Sequence, residues 1–170
     1  MHRHILICGA VGVGKSTLVS RLLENSGRHV SGYVTRIMKR RPDGWHEIYM
    51  FAPGQEDRAV YLAECDTVSR RVNTGVFETL GTELLSRVSP GDIILMDEIG
   101  FMEETAPAFT SRVLELLDGD ITVLGTVKNS HPDSEYLNAV RNHPNVDLYS
   151  ITRENRDGLY ELLKDDGRLK

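Results

Sequence analysis

The sequence is poor in cysteine and has no long hydrophobic run. Cys8 and Cys65 are the only cysteines in 170 residues, and two cysteines without metal-ligand spacing predict neither a zinc site nor a disulfide framework. Near the start, the apolar stretch from Ile5 to Cys8 is far too short for a signal peptide or a membrane span. We therefore expect a cytoplasmic protein with no membrane interaction.

The chain also lacks an excess of positive charge. Its 20 lysine and arginine residues are outnumbered by 25 acidic residues, which gives a net charge of −5. Proteins that bind nucleic acid depend on basic residues to neutralise phosphates, so we expect no nucleic-acid binding. A nucleotide site is still compatible with this charge because it needs only a few local donors. A protein partner is compatible with the sequence, but no feature supports one.

Short apolar runs alternate with segments of helical periodicity along the whole chain. This alternation predicts an α/β fold with a doubly wound, mostly parallel sheet and helices on both faces. No repeat or linker divides the chain, so we expect one domain over residues 1–170. The predicted strands are His4–Cys8, Asp92–Met96, Ile121–Val127 and Val146–Ile151, and the predicted helices are Lys15–Glu24, Val76–Val88, Pro107–Leu117, Ser134–Asn142 and Asn155–Leu163.

A β-hairpin is predicted as an addition to this sheet. Two β-rich pieces, Val30–Met38 and Trp45–Phe51, flank the turn signal Pro42-Asp43-Gly44. The following segment, Ala52 to Thr74, gives no clear prediction, and Asp57–Ala63 fits a short helix or a strand.

The hairpin carries a basic cluster formed by Arg36, Lys39, Arg40 and Arg41. These side chains could clamp phosphates as a lid, or supply an arginine that stabilises charge in a transition state. Runs of like charge are more often solvated faces, so we favour a solvated turn.

The segment between the first strand and the first helix matches a phosphate-binding loop. It fills every fixed position of G-x-x-x-x-G-K-[ST]. Glycines allow the tight turn that directs amide groups at phosphate oxygens, and the helix start adds its free amides and positive dipole end. The predicted nucleotide-binding residues are Gly9, Ala10, Val11, Gly12, Val13, Gly14, Lys15, Ser16 and Thr17.

Three side chains of this loop have predicted chemical roles. Lys15 would reach the β- and γ-phosphates and act in catalysis, and the Ser16 hydroxyl would hold Mg²⁺. The Thr17 hydroxyl would add a contact toward the α-phosphate.

An acid pair, Asp97 and Glu98, follows the predicted strand Asp92–Met96. Ligands of open α/β sheets bind at the carboxyl ends of the strands, so Asp97 would engage Mg²⁺ beside Ser16. Glu98 would orient or deprotonate an attacking water. Alone, such a pair is often a turn or helix cap, but the glycine loop favours the metal and water roles. Gly100 could admit the γ-phosphate or be only a turn residue.

Two later segments, one at Arg156 and one at Lys128-Asn129, bear on nucleotide contacts. Arg156 follows the last predicted strand and could lie near the base or the phosphates, or form only a surface ion pair at a helix start. Both interpretations stay open. Lys128-Asn129 does not match the Asn-Lys-x-Asp pattern that reads guanine, so it predicts no base preference.

Several segments together resemble the cancer-related nucleoside-triphosphatase family of THEP-type P-loop NTPases. They are GAVGVGKSTLVSRLL, SGYVTR, DEIGFMEE, VLGTV and VDLYSITRENRDGL. The resemblance implies a P-loop fold and slow, Mg²⁺-dependent hydrolysis of ATP, GTP and other nucleoside triphosphates to diphosphate and phosphate. At matching positions it implies phosphate binding by Gly9–Ser16, metal binding by Asp97 and water activation by Glu98. Family members tend to carry acids after the residue matching Thr35, where this chain has Arg36, so no role of those acids is carried over.

Three functions therefore fit the sequence. Hydrolysis of nucleoside triphosphates is the first. The alternatives are a P-loop phosphotransferase, such as a nucleotide or small-molecule kinase, and a nucleotide-dependent binding module.

Overall fold

Strands and helices alternate along the chain in the computed structural model, which describes residues 3–170. The strands are β1 (His4–Cys8), β2 (Val30–Arg40), β3 (His46–Phe51), β4 (Val60–Cys65), β5 (Arg70–Val72), β6 (Ile93–Ile99), β7 (Val123–Val127) and β8 (Val146–Ser150). The helices are α1 (Lys15–Ser26), α2 (Thr74–Val76), α3 (Thr82–Ser86), α4 (Pro107–Asp118), α5 (Glu135–Arg141) and α6 (Arg156–Leu163), with a π-helical turn at Phe77–Gly81 between α2 and α3.

All of these strands lie in one eight-stranded sheet, in the order β5-β4-β3-β2-β6-β7-β1-β8. Five adjacent strands run parallel to one another: β2, β6, β7, β1 and β8. The pairs β2–β3, β3–β4 and β4–β5 are antiparallel. β7 separates β1 from β6. The carboxyl ends of β1, β6 and β7 therefore meet at one edge of the sheet, where ligands of such sheets bind.

Helices cover both faces of the parallel part, as predicted. In β1, Ile5 and Ile7 pack toward α1 and α6, whereas Leu6 and Cys8 pack toward the opposite face. Each strand residue is buried on one side or the other, which explains the continuous apolar run. None of the helices within residues 3–170 has the length and apolar character needed to cross a membrane.

An aromatic cluster fills the core on the face opposite α1. The ring of Phe109 in α4 lies 5.3 Å from that of Tyr33 in β2 and 5.0 Å from that of Phe77. Gly81 allows this packing, because a Cβ atom there would come within 2.7 Å of the Phe109 ring.

The predicted hairpin is part of a larger antiparallel extension. β2 and β3 form the hairpin around the predicted turn, but β4 and β5 continue the sheet. A 3₁₀ turn at Glu56–Arg58 precedes β4, so the segment Asp57–Ala63 contains the end of a helical turn and the beginning of a strand. β5 was not predicted, because its three residues include two arginines and show no apolar pattern.

Several element boundaries differ from the predicted ones by one to three residues. The helical segment predicted at Val76–Val88 begins at Thr74 and ends at Ser86. The strand predicted at Asp92–Met96 runs from Ile93 to Ile99, because pairing with β7 continues to the end of that strand. The acid pair therefore lies inside β6 rather than after it.

Candidate functional site

The loop between β1 and α1 has the backbone that its glycines permit. Gly9, Gly12 and Gly14 have φ angles of 155°, 73° and 107°. A Cβ atom at Gly9 would lie 2.5 Å from the carbonyl oxygen of Ile151, so no larger residue fits there. Val13 is buried and anchors the loop in the apolar core. The first amides of α1 have no partner within the helix and point along its axis toward the loop.

Lys15 lies inside this loop. Its ammonium group donates hydrogen bonds to the carbonyl oxygens of Gly9 and Ala10, both at 3.0 Å. The same ammonium lies 3.9 Å from Oε2 of Glu98. The positive charge is thus held at the centre of the glycine turn, next to the acid pair.

Asp97 joins the loop to β6 and β7. Its Oδ1 accepts hydrogen bonds from the hydroxyl of Ser16 at 3.2 Å and from that of Thr126 at 2.6 Å. Burial raises the pKa of the Asp97 carboxyl, and the two hydroxyl donors partly offset this rise. Thr126 lies on β7 and pairs in register with Ile7 of β1, the strand that leads into the loop. β7 therefore connects the acid pair on β6 with the strand that carries the loop.

Glu98 has a fixed backbone and a carboxylate that faces two lysines. Its amide donates to the hydroxyl of Thr35 at 3.2 Å, and that hydroxyl donates to the carbonyl of Asp97 at 3.3 Å. Oε1 of Glu98 lies 3.0 Å from the ammonium of Lys128. Together with the longer contact to Lys15, this arrangement places the carboxylate between two positive charges.

These residues enclose a cleft of about 350 Å³. A second pocket of about 250 Å³ lies beside it and shares Gly14 and Thr17 with it. The cleft is lined by Val11, Gly12, Gly14, Lys15, Ser16, Thr17, Thr35, Asp97, Glu98 and Lys128, and the second pocket by Gly14, Thr17, Leu18, Arg21, Arg156 and Asp157.

The structure brings most of the predicted site residues together. Six residues of the predicted loop line the cleft together with Asp97 and Glu98, whereas Gly9, Ala10 and Val13 do not, and Arg156 is exposed at the second pocket. Gly100 does not line either space. Its amide donates to Oε1 of Glu103 at 2.6 Å, so this amide is already engaged by a buried carboxyl group.

The basic cluster of the hairpin is paired with neighbouring groups. Arg36 lies 3.6 Å from Glu56, Lys39 lies 3.2 Å from Glu47, and Arg41 lies 3.1 Å from Glu64. Arg40 contacts His46. This pairing supports the interpretation of the cluster as a solvated turn.

Three residues at the site were missed by sequence reasoning. Thr35, Thr126 and Lys128 lie on β2, on β7 and just after β7, and each contacts the acid pair. For Thr126 and Lys128 the available signal was their position at the carboxyl end of the predicted strand Ile121–Val127, whereas Thr35 lies in the middle of the predicted strand Val30–Met38 and gave no such signal. Using it requires the order of the strands, which the sequence does not reveal.

The sheet order, the loop that joins β1 to α1, and the acid pair on β6 define a P-loop NTPase fold. The profile of the NTPase family matches residues 4–163. The chain belongs to this family, which confirms the resemblance seen in the sequence.

Individual relatives match nearly the whole chain. Nucleoside-triphosphatase THEP1 of Thermofilum pendens is 32% identical over 165 residues, which cover 91% of this chain and 90% of the relative. The human cancer-related nucleoside-triphosphatase is 30% identical over 178 residues, covering 94% and 93%. The crystal structure of THEP1 from Aquifex aeolicus superposes with a TM-score of 0.76 at 27% identity, covering 94% of this chain and 96% of that one.

Proposed function

We propose that the protein hydrolyses nucleoside triphosphates to nucleoside diphosphate and phosphate in the cleft between the loop and β6. The observation that carries the proposal is the contact of Ser16 with Asp97, with Glu98 held beside Lys15 at the same cleft. Family membership and the names of the relatives support the same activity.

The loop supplies the phosphate site. Amides from Gly9 to Thr17 would surround the β- and γ-phosphates, since glycine-rich turns at helix starts bind anions in this way. Lys15 would exchange its two carbonyl partners for phosphate oxygens and neutralise their charge. Thr17 lines both the cleft and the second pocket, and its hydroxyl would contact the α-phosphate.

The pair formed by Ser16 and Asp97 fits a magnesium ion. A hydroxyl and a carboxylate oxygen 3.2 Å apart are oxygen ligands of the kind that Mg²⁺ prefers, and this ion takes its remaining ligands from water and substrate phosphates. When bound, the ion would supply positive charge at the β- and γ-phosphate oxygens. Thr126 donates a hydrogen bond to the Asp97 carboxyl at 2.6 Å and would help to orient it for this role.

Glu98 is the proposed base for the attacking water. Its backbone is fixed through Thr35, and its carboxylate faces the cleft beside Lys15. The water oxygen forms the new bond to the γ-phosphorus while the bond from that phosphorus to the β–γ bridging oxygen breaks. A carboxylate oxygen of Glu98 takes the proton that the water releases.

The second pocket suits the sugar and the base. It adjoins the loop at Gly14 and Thr17 and is bordered by Arg21, Arg156 and Asp157. Asp157 and Arg21 form an exposed ion pair at 3.8 Å, so the charged groups here are at the surface rather than fixed against the edge of a base. We therefore propose a broad base preference, with Arg156 contacting the nucleotide beyond the phosphates.

Phosphate release from ATP, GTP, CTP and UTP with Mg²⁺ tests this proposal. The wild-type protein should release phosphate from all four without an added acceptor. Glu98→Gln should bind nucleotide but release phosphate at least about 10²-fold more slowly, whereas Lys15→Ala should also lose affinity. Release at the same rate by all three proteins would contradict the proposal. Formation of diphosphate only when an acceptor is added would indicate a phosphotransferase instead.

A further inference from the structure

Lys128 is held in a defined position at the cleft. Its amide donates to the carbonyl of Ile99 at 2.9 Å, and its own carbonyl accepts from Nε of Arg141 at 3.0 Å. The side chain passes over Gly100, where an added Cβ would lie 3.4 Å from Cγ of Lys128. The ammonium then reaches Glu98. Both the backbone and the stem of this side chain are therefore oriented toward the cleft.

Lys128 is one of only two cations that line the cleft within residues 3–170, and the other is Lys15. Arg36 does not line the cleft; it lies near Glu56 and over the ring of Phe51, and its charge acts on Asp97 as a minor lowering influence on the pKa of that carboxyl. Arg156 lines the neighbouring pocket. Among the residues that line the cleft, only Lys128 adds a positive charge to that of Lys15.

The Glu98 carboxylate lies between the two ammonium groups. One of its oxygens lies 3.0 Å from Lys128 and the other 3.9 Å from Lys15. A terminal phosphate is also a compact group of anionic oxygens, and it carries more charge than a carboxylate. A phosphate that enters the cleft therefore competes with Glu98 for both lysines.

We propose that Lys128 is a phosphate-binding catalytic residue that passes from Glu98 to the γ-phosphate when a nucleoside triphosphate binds. There it would stabilise the charge on the equatorial oxygens during transfer, a role for which other P-loop enzymes use an arginine. Its departure from Glu98 would leave a carboxylate oxygen free to accept the proton of the attacking water. The inference rests on the proposed function, because only a triphosphate site has a γ-phosphate to bind.

The test compares wild type with Lys128→Met, Lys128→Arg and the control Lys164→Met, whose lysine pairs with Glu161 on α6. Calorimetry measures the affinity of each protein for a non-hydrolysable ATP analogue and for ADP. Quenched-flow experiments measure the single-turnover rate of phosphate release from ATP. Thermal melting checks that each variant is folded, and Lys128→Gln replaces the methionine variant if that one is not.

Lys128→Met should reduce the preference for the triphosphate over ADP by roughly tenfold or more, since one charged hydrogen bond to the γ-phosphate is lost. Its single-turnover rate should fall by about 10²–10³-fold. Lys128→Arg should keep most of the preference, and the control should match wild type.

An unchanged rate in Lys128→Met would overturn the inference. A slower rate with an unchanged preference for the triphosphate would also overturn it, because Lys128 would then act only through Glu98. If the wild-type protein released no phosphate, the proposed hydrolysis would fail separately, and the affinity comparison would still decide whether Lys128 contacts the γ-phosphate.

Discussion

The buried carboxyl group of Glu103 should make the stability of the protein depend on pH. Glu103 is 1% exposed, and burial raises its pKa from an ordinary value of 4.5 to about 8. The hydrogen bond from the Gly100 amide acts in the opposite direction but does not compensate for the lost hydration. At neutral pH the folded protein should thus hold a proton at Glu103 that the unfolded chain releases.

The sign of the effect follows from this difference in bound protons. Between pH 4.5 and 8 the folded state binds more protons at Glu103 than the unfolded state, so the free energy of unfolding falls as pH rises. With these two pKa values, Glu103 alone should lower the free energy of unfolding by about 3–4 kcal/mol between pH 5 and pH 8. That is a large part of the about 5–15 kcal/mol by which a typical domain is stable.

Urea unfolding of wild type and of Glu103→Gln at several pH values from 5 to 8 measures this contribution. Glutamine keeps an oxygen that can accept the hydrogen bond from Gly100 but cannot ionise, so the variant should lose about 3–4 kcal/mol less than wild type over this range. Glu24 on α1 is exposed, and Glu24→Gln serves as the control that should keep the pH dependence of wild type. Parallel losses in wild type and Glu103→Gln would refute a raised pKa at this carboxyl.

Other substitutions test the loop and the core. Gly9→Ala should abolish nucleotide binding in calorimetry and lower stability by about 1–3 kcal/mol, because its Cβ would meet the carbonyl of Ile151; wild-type affinity would contradict this. Phe109→Ala should cost about 3–5 kcal/mol in denaturant unfolding, since its buried ring packs against two other aromatic rings; a loss under about 1 kcal/mol would show that the core refills. Thr126→Val should lower the free energy of unfolding by about 1–3 kcal/mol, because it removes a hydrogen-bond donor to the buried Asp97. The rate of phosphate release from ATP should fall as well; if neither value changed, this contact would be excluded.

The parts of the site that are local in sequence could be predicted. The loop from Gly9 to Ser16 is a continuous segment whose chemistry depends on residue types at fixed spacing. The acid pair could be placed because strongly apolar residues precede it on the same strand. For both, neighbouring residues along the chain determine the structure.

The parts that depend on strand order could not be predicted. Thr126 and Lys128 contact the acid pair because β7 lies between β1 and β6, and many orders are compatible with the same alternation of strands and helices. β4 and β5 were unclear for a different reason. Their residues mix apolar and charged types because helices cover only one face of the antiparallel extension, so neither the continuous run of a buried strand nor a helical period is present.

The short strand β5 has a consequence for the behaviour of the protein in concentrated solution. Within residues 3–170 it forms one edge of the sheet and β8 forms the other, and an unpaired strand edge can recruit the backbone of another molecule and begin aggregation. β5 has only three residues, and its two arginines lie over the rings of Phe101 and Trp45. An incoming strand would gain few hydrogen bonds and would meet two guanidinium groups, so this boundary should help the molecule to remain dispersed.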